Sequence, residues 1–272
     1  MLACATRADA QRNPFRMDLG SHRSVSITWT ADGPIIADGR PVGSSAVTLT
    51  GLLTPTSFVM TGQGQVTVQG RATAVRTWNL TTPDADADDR GGTDTIVVTP
   101  SLQGLLAREF DALPADAKAR LVANLARLDE ERLDDLHANP VAGGRKTGSA
   151  TVAGIACDVI ERGTTRFCVL PDAPSVALRM EGSLQRGGAL VATRVQLDAP
   201  VPASAFTYPA GRAVVRRTAE DLYSEGGWPV GLYADKHEGE SPSSLEALAR
   251  FVVRYLASAE AAAELEESAP DQ

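Results

Sequence analysis

Two cysteines that lie eleven positions apart in a hairpin-like stretch constrain the fold of this chain more than any other feature. Apolar and polar residues alternate through residues 154–168, and Arg162-Gly163 supplies a two-residue turn between two short strands. In the register that this turn sets, Cys157 lies directly opposite Cys168. The sequence therefore predicts a disulfide that closes a loop of 12 residues, and the entropy of such a loop is worth about 3 kcal/mol.

Two alternatives remain open for this cysteine pair. A two-residue turn makes the cysteines a hydrogen-bonded pair with well-separated side chains, so a four-residue loop from Glu161 to Thr164 would suit a disulfide better. The cysteines could also be two buried free thiols, because cysteine is a common small core residue. Since disulfides persist mainly in secreted or periplasmic compartments, a bridge predicts an extracytoplasmic protein.

The composition argues against several classes of function. A net charge of −8 and 26 scattered basic residues provide no surface for nucleic acid. The three histidines lack the spacing of zinc proteases, and no phosphate-binding loop or nucleophile elbow is present. The sequence therefore indicates no metal, no cofactor and no enzymatic activity, although a triad assembled from distant residues stays open.

The amino terminus bears on the location of the protein. Met1-Leu2-Ala3-Cys4 looks like the end of a bacterial lipobox, in which small residues precede a lipidated cysteine. We therefore expect membrane anchoring through Cys4 as one possibility, and an ordinary disordered start as the other. Residues 1–14 are predicted to be a flexible terminus, and no export signal is visible in them. The expected location is periplasmic or associated with the outer membrane.

One long segment, residues 63–80, has the clearest strand pattern. Its apolar residues share one parity, and this parity continues through Gly70. We therefore predict one curved strand that bends at Gly70, in preference to a tight hairpin at Gln69-Gly70. The side chains on its apolar face are Val66, Val68, Trp78 and Leu80. Curvature of this kind suggests a barrel or half-barrel.

Helical patterns follow this strand-rich region. Pro100 and Pro114 can open two helices, and the second carries Leu121 and Leu125 in an apolar stripe that extends to Leu136. We expect the stripe to pack on the sheet, or alternatively to form a groove for a ligand or partner. A last helix is predicted over residues 241–267, with Phe251 and Tyr255 on its apolar face. Its Ala/Glu-rich end from Ala257 onward is expected to fray or protrude.

Several short motifs together resemble a known group of proteins. They are Lys146-Thr147-Gly148, Thr151-Val152-Ala153-Gly154 with Cys157, Phe167-Cys168, and Phe206-Thr207-Tyr208-Pro209-Ala210-Gly211. In this order, after a Leu/Ala/Arg-rich helix, they resemble an uncharacterised family of bacterial envelope domains that is related to the lipoprotein-carrier (LolA-like) fold. The resemblance covers roughly residues 101–212.

The resemblance implies an α+β fold in which a strongly curved antiparallel sheet, a half-barrel, wraps around helices. The half-barrel domain would span residues 15–215, and residues 216–272 would be a loop and helical extension at the carboxyl terminus. In carrier proteins of this fold the apolar concavity shelters acyl chains. No residue here matches a known acyl-binding motif, so the carrier activity itself is not transferred.

The leading hypothesis is therefore a non-enzymatic envelope protein that binds a hydrophobic small molecule, a lipid or a lipidated protein in the concavity. Its expected lining is Val66, Val68, Trp78, Leu80, Leu121 and Leu125. Acyl binding needs little specific chemistry, because each buried methylene contributes about 0.8 kcal/mol. The alternative is a structural or interaction protein whose concavity is filled by its own helices. A hydrolase is the third and weakest hypothesis.

Overall fold

The computed structural model describes residues 12–37, 40–89, 91–136, 141–182 and 189–267, and these residues form two compact units. A helical unit takes the described residues of 1–16, 100–143 and 217–272. A sheet unit takes those of 17–99 and 144–216. The contacts therefore group the helices after residue 100 with the carboxyl-terminal segment, whereas the sequence had grouped them with the sheet.

The sheet unit contains twelve strands within the described residues, and they form one open, curved and mainly antiparallel sheet. The strands are β1 (Val25–Ala37), β2 (Arg40–Leu53), β3 (Phe58–Val68), β4 (Arg71–Thr81), β5 (Ala85–Asp88), β6 (Thr95–Pro100), β7 (Arg145–Val152), β8 (Ile155–Arg162), β9 (Thr165–Leu170), β10 (Ala173–Glu181), β11 (Ala189–Leu197) and β12 (Ala213–Arg216). Their order is β12-β6-β5-β4-β3-β2-β1-β11-β10-β9-β8-β7. The α+β class is thus confirmed, and the parallel pair β6 and β12 lies at one edge.

The strands β3 and β4 form a tight hairpin, so the prediction of one long curved strand through Gly70 is wrong. Val68 pairs with Arg71, and the two turn residues Gln69 and Gly70 have φ angles of 50° and 76°. Two positive φ angles in succession are the geometry of a type I′ turn, which matches the twist of the flanking strands. An even-numbered turn reverses the parity of the apolar pattern, so Val66 and Trp78 face opposite sides of the sheet.

Each face of the sheet has its own core. The first face carries Val25, Ile27 and Trp29 of β1, which are between 0% and 6% exposed. The indole of Trp29 donates a hydrogen bond of 2.8 Å to the carbonyl of Ala177. The second face carries a separate cluster, which consists of Trp78, Leu80, Ala87, Ile96 and Val98.

Glycines on the first face of β2 and β3 allow the backbones of these two strands to approach closely. A Cβ atom at Gly64 would lie 2.2 Å from the carbonyl oxygen of Ala46, and one at Gly43 would lie 1.9 Å from that of Thr67. Any larger residue would push these neighbouring backbones apart. Glycine in a strand interior commonly marks such a close approach or bend.

The cysteine hairpin formed by β8 and β9 contains the predicted disulfide, with a distance of 5.4 Å between the two Cα atoms. The predicted register is wrong: the observed turn residues are Gly163-Thr164, and Cys168 lies opposite Val159, two residues further along β8 than the predicted Cys157. Cys157 is therefore the diagonal neighbour of Cys168 on the same face, and neither turn considered for this hairpin is the observed one. Gly163 adopts a φ of 52°, which suits glycine at the first turn position.

The helical unit contains seven helices within the described residues. They are α1 (Leu102–Asp111), α2 (Ala115–Leu125), α3 (Glu130–Asp135), α4 (Ala219–Glu225), α5 (Trp228–Lys236), α6 (Leu245–Leu256) and α7 (Ala259–Glu267). Ser101 and Ser244 cap α1 and α6 through their hydroxyl groups. No helix in the described ranges is long and apolar enough to cross a membrane.

The last predicted helix is divided in two. The helix α6 ends at Leu256, and the hydroxyl of Ser258 then accepts a hydrogen bond from the Ala261 amide at the start of α7. Ala261 and Leu265 are 0% and 7% exposed, so the expectation that this end frays or protrudes is wrong. The amide of Asn124 donates 2.8 Å to the Leu256 carbonyl and thereby ties α2 to the break between the two helices.

Candidate functional site

The four sheet residues that were predicted to line a ligand cavity lie on opposite faces of the sheet. Val66 and Val68 are half-buried on the first face of the sheet. Trp78 and Leu80 belong to the core on the second face, and Trp78 makes an edge-to-face contact of 6.1 Å with Tyr208. One cavity cannot be lined from both faces of the same sheet region.

The two predicted helical residues lie in the core of the helical unit. Leu121 is fully buried and Leu125 is 6% exposed, in a cluster with Leu106, Phe110 and Leu248. All members of that cluster belong to the helical unit. Cys4, the candidate for lipidation, lies outside the described residues.

The helical unit contains a cleft of about 620 Å³ whose lining combines aromatic rings with cations. It is lined by Tyr233, Lys236, His237, Ala247, Arg250, Phe251, Arg254, Tyr255, Ser258 and Glu260. The residues from α6 recur at helical spacing on one side of the helix, and the opposite side carries the buried aliphatic stripe. We call this site the arginine–aromatic cleft.

Four rings form its apolar part. Tyr233 and His237 stack one turn apart on the α5 side, with ring centroids 4.0 Å apart and planes within 6°. Phe251 meets these two rings edge-on, at 5.1 and 5.0 Å. The ring of Tyr255 lies 6.1 Å beyond Phe251. All four residues are half-buried, so ring surface remains open to a ligand.

An ion network closes the α7 side of the cleft. The ammonium of Lys236 lies 2.8 Å from the carboxylate of Glu260 and 2.5 Å from that of Glu264. The hydroxyl of Tyr255 donates to Glu264 at 2.6 Å. Burial and this hydrogen bond to a carboxylate raise the pKa of Tyr255 to about 12. The hydrogen bond from Lys236 lowers the pKa of Glu264, so this carboxylate is ionised at neutral pH, whereas the phenol of Tyr255 keeps its proton.

Two arginines on α6 supply the remaining positive charge. Arg250 and Arg254 are one helical turn apart and both are exposed. The guanidinium of Arg250 lies 3.5 Å from the carboxylate of Glu109, whereas Arg254 has no ion pair with any described residue. Residues 217–272 contain twelve Asp and Glu residues but four Lys and Arg residues, and three of those four cations line this cleft. Positive charge is therefore concentrated there within an acidic segment.

Sequence reasoning missed this cleft, although the sequence contains a signal for it. The pairs Arg250-Phe251 and Arg254-Tyr255 repeat an arginine followed by an aromatic residue at four-residue spacing. Phe251 and Tyr255 were counted in the core stripe of the last helix. The structure shows that the core stripe consists of aliphatic residues, and that the two rings lie beside it.

The sheet unit has a smaller groove of about 280 Å³. Leu52, Val59, Ala199, Pro200 and Pro202 provide most of its apolar lining, and Ser26, Thr50, Thr61 and Gln196 add polar groups. Two exposed apolar side chains, Leu197 and Val201, are adjacent in sequence to residues that line this groove. Among the described residues, no group of three His, Cys, Asp or Glu residues could hold a metal ion.

Comparisons with known proteins give distant likenesses of fold. No family model matches the chain, and no curated protein sequence matches it. An uncharacterized conserved protein from Thermus thermophilus is 11% identical with a TM-score of 0.38, over 72% of this chain and 92% of that one. A structure of MucB is 14% identical with a TM-score of 0.32, and the match covers 78% of this chain and 66% of the MucB chain. A structure of MucB in complex with MucA(peri) is also 14% identical, with a TM-score of 0.30, and the match covers 78% of this chain and 60% of that one. Likenesses at this level do not define a function.

Proposed function

We propose that this protein is a non-enzymatic, extracytoplasmic protein of the cell envelope that binds a partner through the arginine–aromatic cleft. The observation that carries the proposal is the combination of half-buried rings with Arg254, a cation without an ion pair among the described residues. Aromatic residues and arginine are the residue types enriched at protein interfaces, where they provide most of the binding energy.

The disulfide supports the location. Cys157 and Cys168 are 1% and 4% exposed, so the bond is part of the core of the sheet unit and not a surface redox pair. Structural disulfides of this kind form and persist in oxidising compartments such as the periplasm. A periplasmic protein is therefore the form of the proposal that we favour.

A hydrophobic ligand or lipidated partner is the second candidate, and the groove in the sheet unit supports it. Its apolar lining includes Leu52 and Val59, and Val201 beside it is 44% exposed. Exposed apolar residues around a groove commonly mark a binding surface. A volume near 280 Å³ lies just below the range of about 300 to 1,000 Å³ typical of small-molecule sites, so one apolar chain could occupy it.

Site-specific photocrosslinking in the source cell tests the leading proposal. A photoreactive residue in place of Ala247, which lines the cleft, should crosslink to a partner protein. The same residue in place of Ala119, which is exposed on α2, serves as the matched control and should give no such product. The Ala247 product should disappear when Arg250 and Arg254 are both changed to Gln. Equal products from both positions, or a product that persists in the arginine variant, would refute the proposal.

A displacement assay tests the second candidate. A fluorescent apolar probe should bind the native protein and be released by fatty acid or phospholipid, and Val59→Asp should abolish the binding. If the probe binds only when the protein is partly unfolded, the groove is not a ligand site and this candidate is withdrawn.

A further inference from the structure

The arginine–aromatic cleft presents two different surfaces side by side, and together they indicate what it binds. We infer that it takes a short segment of a partner polypeptide in which one carboxylate side chain is next to an aromatic side chain. This inference rests on the proposed function, because it names the chemistry of the partner at the same site. The cleft has an anion subsite and a ring subsite, and its surroundings limit the total charge of the occupant.

The anion subsite consists of Arg250 and Arg254. Like charges at this i,i+4 spacing repel each other on a helix surface, and Arg250 has only a long contact of 3.5 Å with Glu109 to offset the repulsion. A carboxylate between the two guanidinium groups would remove the repulsion and gain charge-assisted hydrogen bonds. Arginine suits this role because its planar fork matches a carboxylate in bidentate geometry.

The ring subsite lies beside these arginines on the same stripe of α6. Phe251 follows Arg250 in sequence, and its edge-to-face contact with Tyr233 holds the two rings at 76° to one another. The His237 ring is fixed in turn by its stack on Tyr233 and by its Nδ1 atom, which lies 2.8 Å from the Tyr233 carbonyl oxygen. The rings are therefore already ordered, and an aromatic side chain could pack on them with little loss of conformational entropy.

The surroundings of the cleft limit the negative charge that it can accept. Glu260 lines the cleft on the α7 side, and Glu264 lies next to it in the Lys236 network. Residues 217–272 carry three times as many carboxylates as cations, twelve against four. A polyacidic segment or an anionic bilayer surface would meet repulsion from this acidic segment, whereas one carboxylate aimed at the arginines would not. A peptide with a single acidic residue therefore fits better than a membrane.

Isothermal titration of the full-length protein at pH 7 tests the inference. The probe is the acetylated and amidated peptide Ala-Glu-Phe-Leu-Ala, for which we expect a dissociation constant below about 1 mM. Exchange of Glu for Gln in the peptide should weaken binding about tenfold or more, and exchange of Phe for Ala should do the same. A peptide of five glutamates should bind more weakly than the probe.

Protein variants locate the interaction. Arg254→Gln should weaken binding of the probe at least about tenfold, and Arg254→Lys should restore only part of it, because lysine keeps the charge but not the fork. Arg108→Gln is the matched control, since Arg108 is an exposed arginine on α1 with no ion pair among the described residues. It should bind the probe like the unmodified protein, and far-UV circular dichroism shows whether each variant is folded.

Four results would overturn the inference. Binding that is insensitive to Arg254→Gln places the peptide elsewhere, and stronger binding of the five-glutamate peptide shows a purely electrostatic site. Vesicles of phosphatidylglycerol that bind in an Arg254-dependent way while the peptide does not would assign the cleft to a membrane surface. If the probe fails but the Ala247 crosslink still depends on the arginines, the proposed function stands and only the partner chemistry is wrong. Loss of both removes the proposed function as well.

Discussion

Reduction of the disulfide should destabilise the sheet unit without replacing any residue. The bond between Cys157 and Cys168 closes a loop of 12 residues. The chain-entropy relation gives about 3 kcal/mol for a loop of that length. For a unit of this size, each 1 kcal/mol corresponds to roughly 2 to 4 °C, so reduction should lower the midpoint of thermal unfolding by about 6 to 12 °C.

The three tryptophans allow this measurement to be made on the sheet unit. Trp29 and Trp78 lie in the sheet unit and Trp228 lies in the helical unit. In a Trp228→Phe variant, indole fluorescence therefore reports on the sheet unit, with and without reductant. A double Cys→Ala variant is a useful comparison, because it adds the loss of two buried side chains and should be less stable than the reduced protein.

Two outcomes would refute this reasoning. If both cysteines label readily with a thiol reagent while the protein is folded and unreduced, the bond is absent, and the argument for an extracytoplasmic location is lost with it. If reduction changes the unfolding free energy by less than about 0.5 kcal/mol, the loop is already restricted in the unfolded chain, and the entropy relation does not apply to it.

Two further predictions concern buried groups. Leu125→Ala should lower the free energy of unfolding by about 2 to 5 kcal/mol, and Leu125→Met by less than about 1.5 kcal/mol, because Leu125 is buried. Urea unfolding followed by circular dichroism at 222 nm measures both values. A change near zero for both variants would place Leu125 in solvent or in a partner groove. Burial raises the pKa of Asp89, but the hydrogen bonds from Arg212 at 2.8 Å and from backbone amides outweigh it and lower the pKa below 3.8. The ionised form therefore stabilises the fold above about pH 4, and this stability is lost as the pH falls towards the lowered pKa. The stability difference between the unmodified protein and Asp89→Asn should shrink below pH 4; a difference that does not depend on pH would show that Asp89 is not ionised in the fold.

The strands were predictable from alternation, but the faces that they present were not. The apolar parity of residues 63–80 continues through Gly70, and a hairpin there puts Val68 beside Arg71, so the sequence favoured one strand. The observed pairing of Val68 with Arg71 shows that the hairpin forms, with positive φ angles at Gln69 and Gly70. The consequence was that Val66 and Trp78 were assigned to one surface although they face opposite sides.

The disulfide was predictable for a different reason. Cys157 and Cys168 share a face both in the predicted register and in the observed one, which differ by two residues along β8. Either register brings the two sulfurs close enough to bond. The repeat of arginine and an aromatic residue on α6 can be seen in the sequence, but the α7 side of the arginine–aromatic cleft was not predictable. That side depends on the break at Ser258 between α6 and α7, and no proline or glycine marks that break.

The position of β1 in the middle of the sheet has a consequence for how the chain folds. Most neighbouring strands are joined by short turns, so β2 to β4 and β7 to β10 can each form from nearby residues. The pairing of β1 with β11 is different, since Val25 must find Leu197. Contacts so distant in sequence are slow to form. We expect the sheet to assemble as two halves, which join last through the pairing of β1 with β11. Trp29 should therefore reach its native environment only after β11 has been synthesised and has paired with β1.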